Sequence, residues 1–408
     1  MLSARLKPIH SIINAVSERT RHWRTIVTGE VALLRCRSYG RPEIESRIEE
    51  AFGLLGGAEA VVGKGERVFV KVNGLLPAAP EKGVTTHPEV VRAVVLQLRK
   101  VTSDIVIGDS PGGLYNHAML KRLYDRSGFA AVADETGAAL NFDTSVKEVR
   151  VPGGGMLKSV TLCGAMVDCD RLVSVSKFKT HLQMNITCAI KNVFGAVPGM
   201  SKFSYHARFS SDDDFADLLL DVLAAADPSF HVVDAVVGME GDGPRQGDLR
   251  DVGVIAAGAD PFAVETAMMA VVGLPPGVDK PLRRAIERGL CAGKLEEITL
   301  LGDDLDALHC EGFRLPVKKD TVSYVPAFVM DRFGRMLSVK PSPAPGRCTG
   351  CAKCEQVCPE GAISVVDGTA VIDTGKCIEC YCCHELCEHD AIDLERPPLL
   401  RLFRRLGG

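Results

Sequence analysis

The stretches CTGCAKCEQVC, residues 348–358, and CIECYCCHELC, residues 377–387, decide the fold of the C-terminal part of the chain. Each stretch places four cysteines at the spacing C-x2-C-x2-C-x3-C. Gaps of two residues let three thiolates of one run reach the same cube of iron and sulfide, while the fourth ligand comes from elsewhere. The two runs therefore predict iron–sulfur ligation by both sets of cysteines.

This spacing resembles that of the bacterial two-cluster ferredoxins, in which the fourth cysteine of each run ligates the other cluster. The resemblance implies two [4Fe–4S] clusters in a small α+β, ferredoxin-like domain. One cluster would take Cys348, Cys351, Cys354 and Cys387. The other would take Cys377, Cys380, Cys383 and Cys358.

An internal repeat accompanies the runs, because Ala362-Ile363 and Ala391-Ile392 stand at the same offset after the last cysteine of each. These apolar residues are expected to pack between the clusters, and Asp367-Gly368 predicts a hairpin. Zinc is the alternative metal, because Cys-x2-Cys pairs also bind it, but two complete runs with a repeat favour iron–sulfur clusters. Glu388 stands where proline often follows the last cysteine, and Cys382 has no assigned ligand position.

The sequence around the cysteine runs indicates a separate acidic domain. Residues 340–346, KPSPAPG, predict a stiff proline-rich linker. Residues 340–395 contain four basic and ten acidic residues, whereas the whole chain carries a net charge of only −4. The sequence predicts five segments: a basic N-terminal extension (1–28), an α/β body (29–302), a connector with the linker (303–347), the two-cluster domain (348–395) and a basic tail (396–408).

Composition narrows the classes of protein. The 15 cysteines are an odd number and the N-terminus lacks a clean apolar signal segment, so a disulfide-bonded secreted protein is not expected. The net charge argues against a nucleic-acid partner. No apolar run reaches about 18 residues, so we predict no transmembrane segment and a cytoplasmic location. The basic termini leave a peripheral membrane contact open beside docked or frayed ends, and a homo-oligomer is also left open.

Between residues 30 and 300 the pattern alternates between strands and helices. Predicted strands are 31–36, 67–72, 104–108, 171–176, 231–237 and 252–257, and predicted helices are 41–55, 87–98, 214–226 and 261–272. This alternation predicts an α/β fold, a mostly parallel sheet with helices on both faces. Ligands in such folds gather at the carboxyl ends of the strands.

Several short motifs of the body resemble the family known as domain of unknown function 362, which is often fused to a ferredoxin of this type. The motifs are Lys71-Val-Asn73, Thr86-His87-Pro88, Gly108-Asp-Ser-Pro-Gly112, Ser176-Lys-Phe-Lys-Thr-His181, Lys191-Asn192, Val197-Pro-Gly199 and Ala259-Asp-Pro261. The resemblance implies an association with iron–sulfur clusters and names no activity. Gly74 stands where family members commonly have proline.

A weaker resemblance links the body to the nickel-pincer lactate racemases. Asp170, His181, Lys191 and Pro198-Gly199 follow their order of an aspartate before a strand, a histidine, a lysine ten residues on and Pro-Gly. In those enzymes the histidine is an acid/base and the lysine holds the cofactor covalently. The resemblance implies a shared fold, and it leaves a further small-molecule or metal cofactor in the body open.

Polar residues at the ends of the predicted strands, and just after them, form the candidate site of the body. The predicted catalytic residues are His181, Lys177, Lys179, Lys191 and Asp109. The predicted cofactor-binding residues are Lys71, Asn73, Ser110, Gly112, Thr180 and Asn192. Lysines two residues apart on a strand share a face, and in a pocket they would bind a carboxylate or phosphate. A histidine among lysines suits acid/base or metal chemistry.

Each of two loops has two possible interpretations, and one residue is a candidate helix cap. Residues 108–113 suit either an anion cradle of backbone N–H groups or a plain tight turn. Glu240-Gly-Asp-Gly243 suits a metal contact or a turn, and Asp260 before Pro261 suits a helix N-cap.

Three functions are compatible with these features. The favoured one is an oxidoreductase in which two clusters pass electrons to a substrate or cofactor in the body. Its partners would be an electron donor or acceptor protein and an anionic small molecule. The second is a non-catalytic electron-transfer or assembly subunit, and the third is a metal-dependent isomerase or transferase with structural clusters.

Overall fold

The computed structural model describes residues 29–153, 155–317 and 338–398. The predicted N-terminal extension 1–28, part of the connector and the tail beyond residue 398 lie outside the described residues. Within the described ranges, no helix has the length and apolar character needed to cross a membrane.

The elements of the body follow one another in an α/β order. The strands are β1 (Glu30–Arg35), β2 (Val68–Val72), β3 (Ile105–Gly108), β4 (Ala139–Leu140), β5 (Val146–Arg150), β6 (Ser159–Cys163), β7 (Arg171–His181), β8 (Asn185–Thr187), β9 (Phe230–Glu240), β10 (Asp248–Gly258) and β11 (Thr299–Gly302). The α-helices are α1 (Arg41–Leu54), α2 (Ala58–Val61), α3 (Pro88–Leu98), α4 (His117–Arg126), α5 (Phe129–Thr136), α6 (Gly164–Val167), α7 (Ala189–Asn192), α8 (Ser201–Arg208), α9 (Asp212–Ala226), α10 (Pro261–Val271), α11 (Lys280–Glu287) and α12 (Leu305–Leu308).

One nine-stranded sheet organises the body, in the order β11-β1-β10-β9-β7-β2-β3-β4, with β8 paired to β7. β9, β7, β2, β3 and β4 run parallel to one another, whereas β10 is antiparallel to both of its neighbours. The mostly parallel sheet predicted from the sequence is confirmed. Its topology brings the carboxyl ends of β2, β3, β7 and β9 to one edge.

Helices cover both faces of this sheet, because successive strand residues point to opposite sides. On one face Val70 and Val175 pack with α1, α3, α4 and α5. On the other face Phe69 and Ala256 pack with α9 and α10. Burial on both faces explains why β2 reads VFVKV, with a single polar residue.

Strand β7 is longer than the sequence predicts. We expected it to end near residue 176, with Lys177, Lys179 and His181 in the following loop, but all three lie inside the strand and are buried. The prediction is wrong because polar side chains do not end a buried strand when each finds a partner. The pairing of β7 with β9 also shifts register between Lys177 and Lys179.

The cysteine module consists of two equivalent halves, with Cys348 and Cys377 at the same position of each. The first half contains β12 (Lys340–Pro343), α13 (Lys353–Val357) and β13 (Ile363–Val366). The second half contains β14 (Thr369–Ile372), α14 (Cys382–Leu386) and β15 (Ile392–Glu395). The halves interlock, because β12 pairs with β15 and β13 pairs with β14, both antiparallel.

The backbone conformation also repeats between the two halves. Three equivalent pairs have a left-handed φ: Gly350 (65°) and Glu379 (58°), Ala352 (58°) and Tyr381 (60°), and Gly361 (57°) and Asp390 (49°). Non-glycine residues rarely adopt this conformation, so its recurrence confirms the internal repeat. Asp367 (φ 49°) and Gly368 (φ 75°) form the predicted two-residue hairpin turn.

The proline-rich segment is not only a linker. Residues 340–343 form β12, in which Pro341 lies opposite Leu394 and Pro343 opposite Ile392. Proline is tolerated in an edge strand, where a missing N–H costs no ladder hydrogen bond. The first half of the module therefore begins at Lys340, before the first cysteine.

Candidate functional site at the junction of body and cysteine module

Lys71 and Asp109 form a buried ion pair at the carboxyl edge of the sheet. Lys71 lies near the end of β2 and Asp109 directly follows the neighbouring β3, which places Lys71 Nζ 2.9 Å from Asp109 Oδ1. Asp109 also accepts backbone hydrogen bonds from Gly74 at 2.7 Å and from Ser110 at 2.9 Å. A Cβ at Gly195 would come within 2.4 Å of Lys71 Nζ, so only glycine lets this loop cover the pair. The pair thus fixes the loops that follow both strands.

An amide network extends from this pair. Asn192 Oδ1 accepts a hydrogen bond from Asn73 Nδ2 at 2.9 Å, and Asn192 Nδ2 donates to Ser174 Oγ at 2.9 Å. Lys179 Nζ donates to Asn73 Oδ1 at 2.8 Å and to the Val84 carbonyl at 2.6 Å. Burial lowers the pKa of Lys179 to about 7. The structure therefore brings together five predicted site residues: Lys71, Asn73, Asp109, Lys179 and Asn192.

Lys177 belongs to a different polar cluster. Its Nζ lies 3.0 Å from Asp234 Oδ2 and donates to the Tyr39 hydroxyl at 2.6 Å. Tyr39 in turn donates to Asp234 Oδ1 at 2.8 Å and stacks on the His87 ring at 3.6 Å. The two lysines of β7 therefore have separate partners and do not form the shared anion site that their spacing suggested.

The loop at residues 108–113 is a tight turn, the second of the two alternatives. Two of its N–H groups are already used, because Ser110 donates to Asp109 and Gly112 donates to the Leu75 carbonyl at 3.1 Å. Lys202 Nζ donates to the Ser110 carbonyl at 2.8 Å and to the Val197 carbonyl at 2.6 Å, and burial lowers the pKa of Lys202 to about 8.

The other predicted features also have structural partners. Thr180 Oγ1 accepts a hydrogen bond from the Gly243 N–H at 3.2 Å, inside the body. Glu240 Oε1 accepts from Arg314 Nε at 2.8 Å, and Asp242 contacts Arg396 at the start of the tail, so arginines hold the acidic loop. The predicted N-cap is confirmed, because Asp260 Oδ1 accepts from the Phe262 N–H at 2.8 Å.

Helix α14 of the second half lies directly on the site. Glu385 Oε1 is 2.9 Å from His181 Nε2 at the end of β7. His181 Nδ1 accepts hydrogen bonds from the N–H groups of Gln183 and Met184, both at 3.2 Å, so Nε2 carries the proton that faces Glu385. Burial opposes ionisation of Glu385, but His181 and Lys191 outweigh it and lower the pKa of Glu385 to about 2. A module carboxylate is thus held by cations of the body.

A second carboxylate of the module strengthens this junction. Glu388 Oε1 accepts from Arg122 Nη1 of α4 at 3.1 Å and from Lys353 Nζ at 2.6 Å. These contacts explain why this residue is not the proline expected after the last cysteine. Close to it, a Cβ at Gly112 would meet Leu386 at 2.6 Å, so the glycine lets α14 approach the body.

Lys191 and His206 face the same junction, and each has a polar group without a hydrogen-bond partner among the described residues. Lys191, on α7, is partly exposed, and no residue of the described chain gives it a hydrogen bond or salt bridge. Burial lowers its pKa, and nearby Glu385 opposes that shift. His206, on α8, stacks on Phe215 at 4.2 Å, and its Nδ1 has no hydrogen-bond partner among the described residues. Burial lowers the pKa of His206 to about 3.

The cysteines of the two runs fit iron–sulfur ligation. One cavity of the module is lined by Cys348, Cys351, Cys354 and Cys387, the crossed ligand set predicted for one cluster. Backbone N–H groups donate to the sulfurs, from Ala362 to Cys358 at 3.2 Å and from Ala391 to Cys387 at 3.2 Å. Such bonds stabilise thiolate ligands and tune cluster potentials. Ile363 and Ile392 pack beside these cysteines, as predicted.

In the described parts of the chain, the side chains do not form a single-ion metal site in addition to the cysteine runs. Within residues 29–153, 155–317 and 338–398, no three His, Cys, Asp or Glu side chains converge on a single-ion site. Cys382, which had no predicted ligand position, is buried with Phe203, Val357 and Leu386. It is part of the apolar contact between α14 and the body.

These features define an α/β protein with a ferredoxin-type cysteine module docked on the carboxyl edge of its sheet. Residues 68–270 match the family described as Domain of unknown function (DUF362), and residues 343–364 match the 4Fe-4S binding domain. The chain is therefore an iron–sulfur protein that carries a DUF362 domain and a C-terminal 4Fe-4S motif, as its sequence motifs predict.

Two known proteins are similar over part of their length. Thylakoid-associated protein sll1697 of Synechocystis sp. is 28% identical over 251 residues, which are 60% of this chain and 75% of that protein. The solved lactate racemase apoprotein from Thermoanaerobacterium thermosaccharolyticum matches with a TM-score of 0.35 and 13% identity, covering 56% of this chain. This chain spans only 54% of that racemase chain.

The racemase-like order of residues does not gather in one place. Asp170 precedes β7 and accepts a hydrogen bond from the Arg67 N–H at 2.8 Å, whereas His181 ends the same strand. Asp170 and His181 are thus at opposite ends of an eleven-residue strand. Within that pattern, His181 and Lys191 face the junction, whereas the Gly199 N–H donates to Ser110 Oγ at 2.8 Å.

Sequence reasoning missed Glu385, His206, Lys202 and Arg122, which complete the site. The repeat contained a signal for Glu385, because the equivalent residue of the first half is the neutral Gln356. Glu388 likewise replaces Pro359. Departures from the repeat mark the face of the module that contacts the body.

Proposed function

We propose that the protein is an iron–sulfur oxidoreductase in which electrons from two [4Fe–4S] clusters reach a small molecule held between the body and the cysteine module. The main support for this proposal is the 2.9 Å contact between His181 and Glu385, which places the second cysteine run against the polar cluster of the body. Bound [4Fe–4S] clusters exchange single electrons at potentials that their surroundings set.

The equivalence of the two halves supports a count of two clusters. Each half repeats the four cysteines, the left-handed residues and the short helix between the third and fourth cysteine. The N–H donors to Cys358 and Cys387 are also equivalent. A half that had lost its cluster would not need to keep all of these features.

The body residues have distinct roles in this proposal. His181 contacts Glu385 and holds the module in place, while the Lys71–Asp109 pair fixes the loops below it. Lys191 and His206 have unsatisfied donors that face the junction, so they are the groups available to contact the acceptor. A fused module keeps donor and acceptor at high effective concentration.

The first half of the module supports a protein partner. Its Cys351 is exposed, and Val366 and Val371 on the hairpin are 52% and 50% exposed. Exposed carboxylates surround this region: Glu355, Glu360, Asp367 and Asp373. We place the electron donor or acceptor protein here, because the body covers the second half. The name of the thylakoid-associated relative supports, for this chain too, a peripheral membrane contact.

A specific observation favours a second candidate, the non-catalytic electron-transfer subunit. Lys71, Lys177, Lys179 and Lys202 all have partners inside the body. A body of this kind would serve as a docking scaffold. It predicts that substitution of Lys191 leaves every electron-transfer rate unchanged.

The test is anaerobic purification followed by iron and sulfide analysis, EPR spectroscopy and mass spectrometry of small molecules that co-purify. The proposal predicts about eight iron atoms per chain and reoxidation of the dithionite-reduced protein by a co-purifying compound. Cys310→Ser is the control, because this cysteine lies outside the runs and packs against the core of the body. About four iron atoms per chain, or reoxidation that proceeds equally without the body's Lys191, would overturn it.

A further inference from the structure

Buried positive charge exceeds buried negative charge where the body meets α14. Lys179 and Lys202 are buried and hydrogen-bond only to neutral oxygens. Lys191 adds a third ammonium group without a bonded carboxylate. A buried charge without a counter-charge is costly. The cluster therefore has the charge balance of a site that is completed by an anion.

The nearby carboxyl groups do not correct this imbalance. Asp279 interacts with Lys191, but burial and the adjacent Glu265 raise the pKa of Asp279 well above its usual range, so it adds little negative charge. The other two carboxylates are engaged. Asp109 pairs with Lys71, and Glu385 pairs with His181. The presence of Glu385 at this junction nevertheless indicates which ligand chemistry the site suits. The Glu385 carboxyl group is only 9% exposed and lies 2.9 Å from His181 Nε2, so the body already holds one carboxyl group at this junction.

His206 supplies the second, independent observation. It is 6% exposed, and its Nδ1 has no hydrogen-bond partner among the described residues. Buried polar atoms are nearly always hydrogen-bonded, so an unpartnered one beside a partly exposed lysine indicates a missing hydrogen-bond partner. The interactions of His206 with Lys191 and Glu385 place it at the same junction.

We propose that Lys191 and His206 bind an oxyanion group, a carboxylate or a phosphate, of the small molecule that accepts electrons at the junction. This inference rests on the proposed function and adds the substrate class. The Lys191 ammonium supplies the charge, and the neutral His206, in the tautomer with its proton on Nδ1, donates a hydrogen bond. Lys202 supplies the surrounding positive field, and Lys179 adds to it when it is protonated. The partial exposure of Lys191 gives the ligand a route from solvent.

The test is equilibrium titration calorimetry on the anaerobic, oxidised holoprotein, with inorganic phosphate and oxalate as separate probes. At least one probe is expected to bind at a single site. Lys191→Gln should weaken binding at least tenfold, because an ammonium–oxyanion contact is lost. His206→Phe, which keeps the stack on Phe215 but removes the donor, should weaken it at least threefold.

Two further variants keep the result interpretable. Lys191→Arg preserves the charge and should bind within threefold of the natural protein, whereas Lys64→Gln removes an exposed lysine of the body and should change nothing. Iron content and circular dichroism must match in all variants. The probe that binds more tightly identifies the source, phosphate or carboxylate.

The inference is overturned if neither probe binds at millimolar concentration, or if Lys191→Gln and Lys64→Gln behave alike. Binding is measured without electron transfer, so this failure is separate from a failure of the redox function. A protein with two clusters and normal reoxidation but no oxyanion binding would contradict only the substrate class.

Discussion

The two halves of the cysteine module share one backbone but face different surroundings. In the first half Gln356 and Cys351 are exposed. In the second half the residue equivalent to Gln356 is Glu385, which is buried against His181. Lys353 of the first half corresponds to Cys382, which packs on the body. The repeat alone would make the halves interchangeable, and the substitutions within it make one half a docking surface.

Under the proposed function, this difference gives the direction of electron transfer through the module. Ligand spacing and backbone conformation are the same in both halves, so iron–sulfur binding does not depend on the docking face. A few side chains that contact the body decide which half lies next to the candidate site. Under the proposed function, the exposed half is the one that would contact a partner protein.

The largest expected effect is the loss of one cluster, and it should be the same size whichever half carries the substitution. Cys354→Ala and Cys383→Ala each remove one ligand of a different cluster, so each should lower the iron content from about eight to about four atoms per chain. Iron and sulfide analysis of anaerobic protein measures this. Cys310→Ala should keep the full content, and a full content in either ligand variant would refute the ligand assignment.

The second prediction is that equivalent substitutions in the two halves change the free energy of unfolding by different amounts. Glu385→Ala leaves the Nε2 proton of His181 buried without an acceptor, so it should lower the free energy of unfolding by about 1–3 kcal/mol. Gln356→Ala, at the equivalent exposed position, should change it by no more than about 0.5 kcal/mol. Urea unfolding of the anaerobic holoprotein, followed by circular dichroism, measures both. Equal changes in the free energy of unfolding would mean that the contact of Glu385 with the body does not stabilise the protein.

A smaller effect comes from making the second half resemble the first. Glu388→Pro introduces the residue found at position 359 and removes the contacts with Arg122 and Lys353. These charges are partly exposed, so the loss should be about 0.5–1 kcal/mol. The same unfolding assay applies, with Glu360→Ala as the control. A stabilising effect would contradict the docking role of Glu388.

The smallest effect concerns the exposed half. Its carboxylates should favour a cationic oxidant, so reduced protein should lose electrons faster to hexaamminecobalt(III) than to ferricyanide at low ionic strength, after each rate is scaled to a neutral small-molecule standard. The double variant Glu355→Lys, Glu360→Lys should lower that scaled ratio by about two- to threefold. Stopped-flow spectroscopy measures the rates. The change should vanish at high salt, and a ratio that does not respond would argue against this electron entry face.

Much of the fold was predictable because it depends on patterns that are local in sequence. Apolar runs predicted the strands of the sheet, and the cysteine spacing with its repeat predicted the module. The end of β7 was not predictable, because Lys177 and Lys179 are tolerated in a strand only through partners as remote as Asp234 and Asn73. Local polarity says nothing about such partners.

The candidate site was predictable only in part for the same reason. Lys71 and Asp109 follow adjacent strands, so their proximity could be inferred from the α/β order. Glu385 belongs to the module and meets the site only where the module docks, and His206 lies on α8, a body helix that does not directly follow a strand of the sheet. Their relation to His181 and Lys191 depends on a tertiary contact that no spacing within either segment indicates.

The central claim is that the cluster of the second run is the one coupled to the body. The most direct measurement is the midpoint potential of the cluster that remains in Cys354→Ala or Cys383→Ala, with and without Lys191→Gln, by EPR-monitored redox titration. Loss of the Lys191 charge should lower the potential of the cluster retained in Cys354→Ala and leave the cluster retained in Cys383→Ala unchanged. Equal shifts in both backgrounds, or no shift in either, would contradict the account.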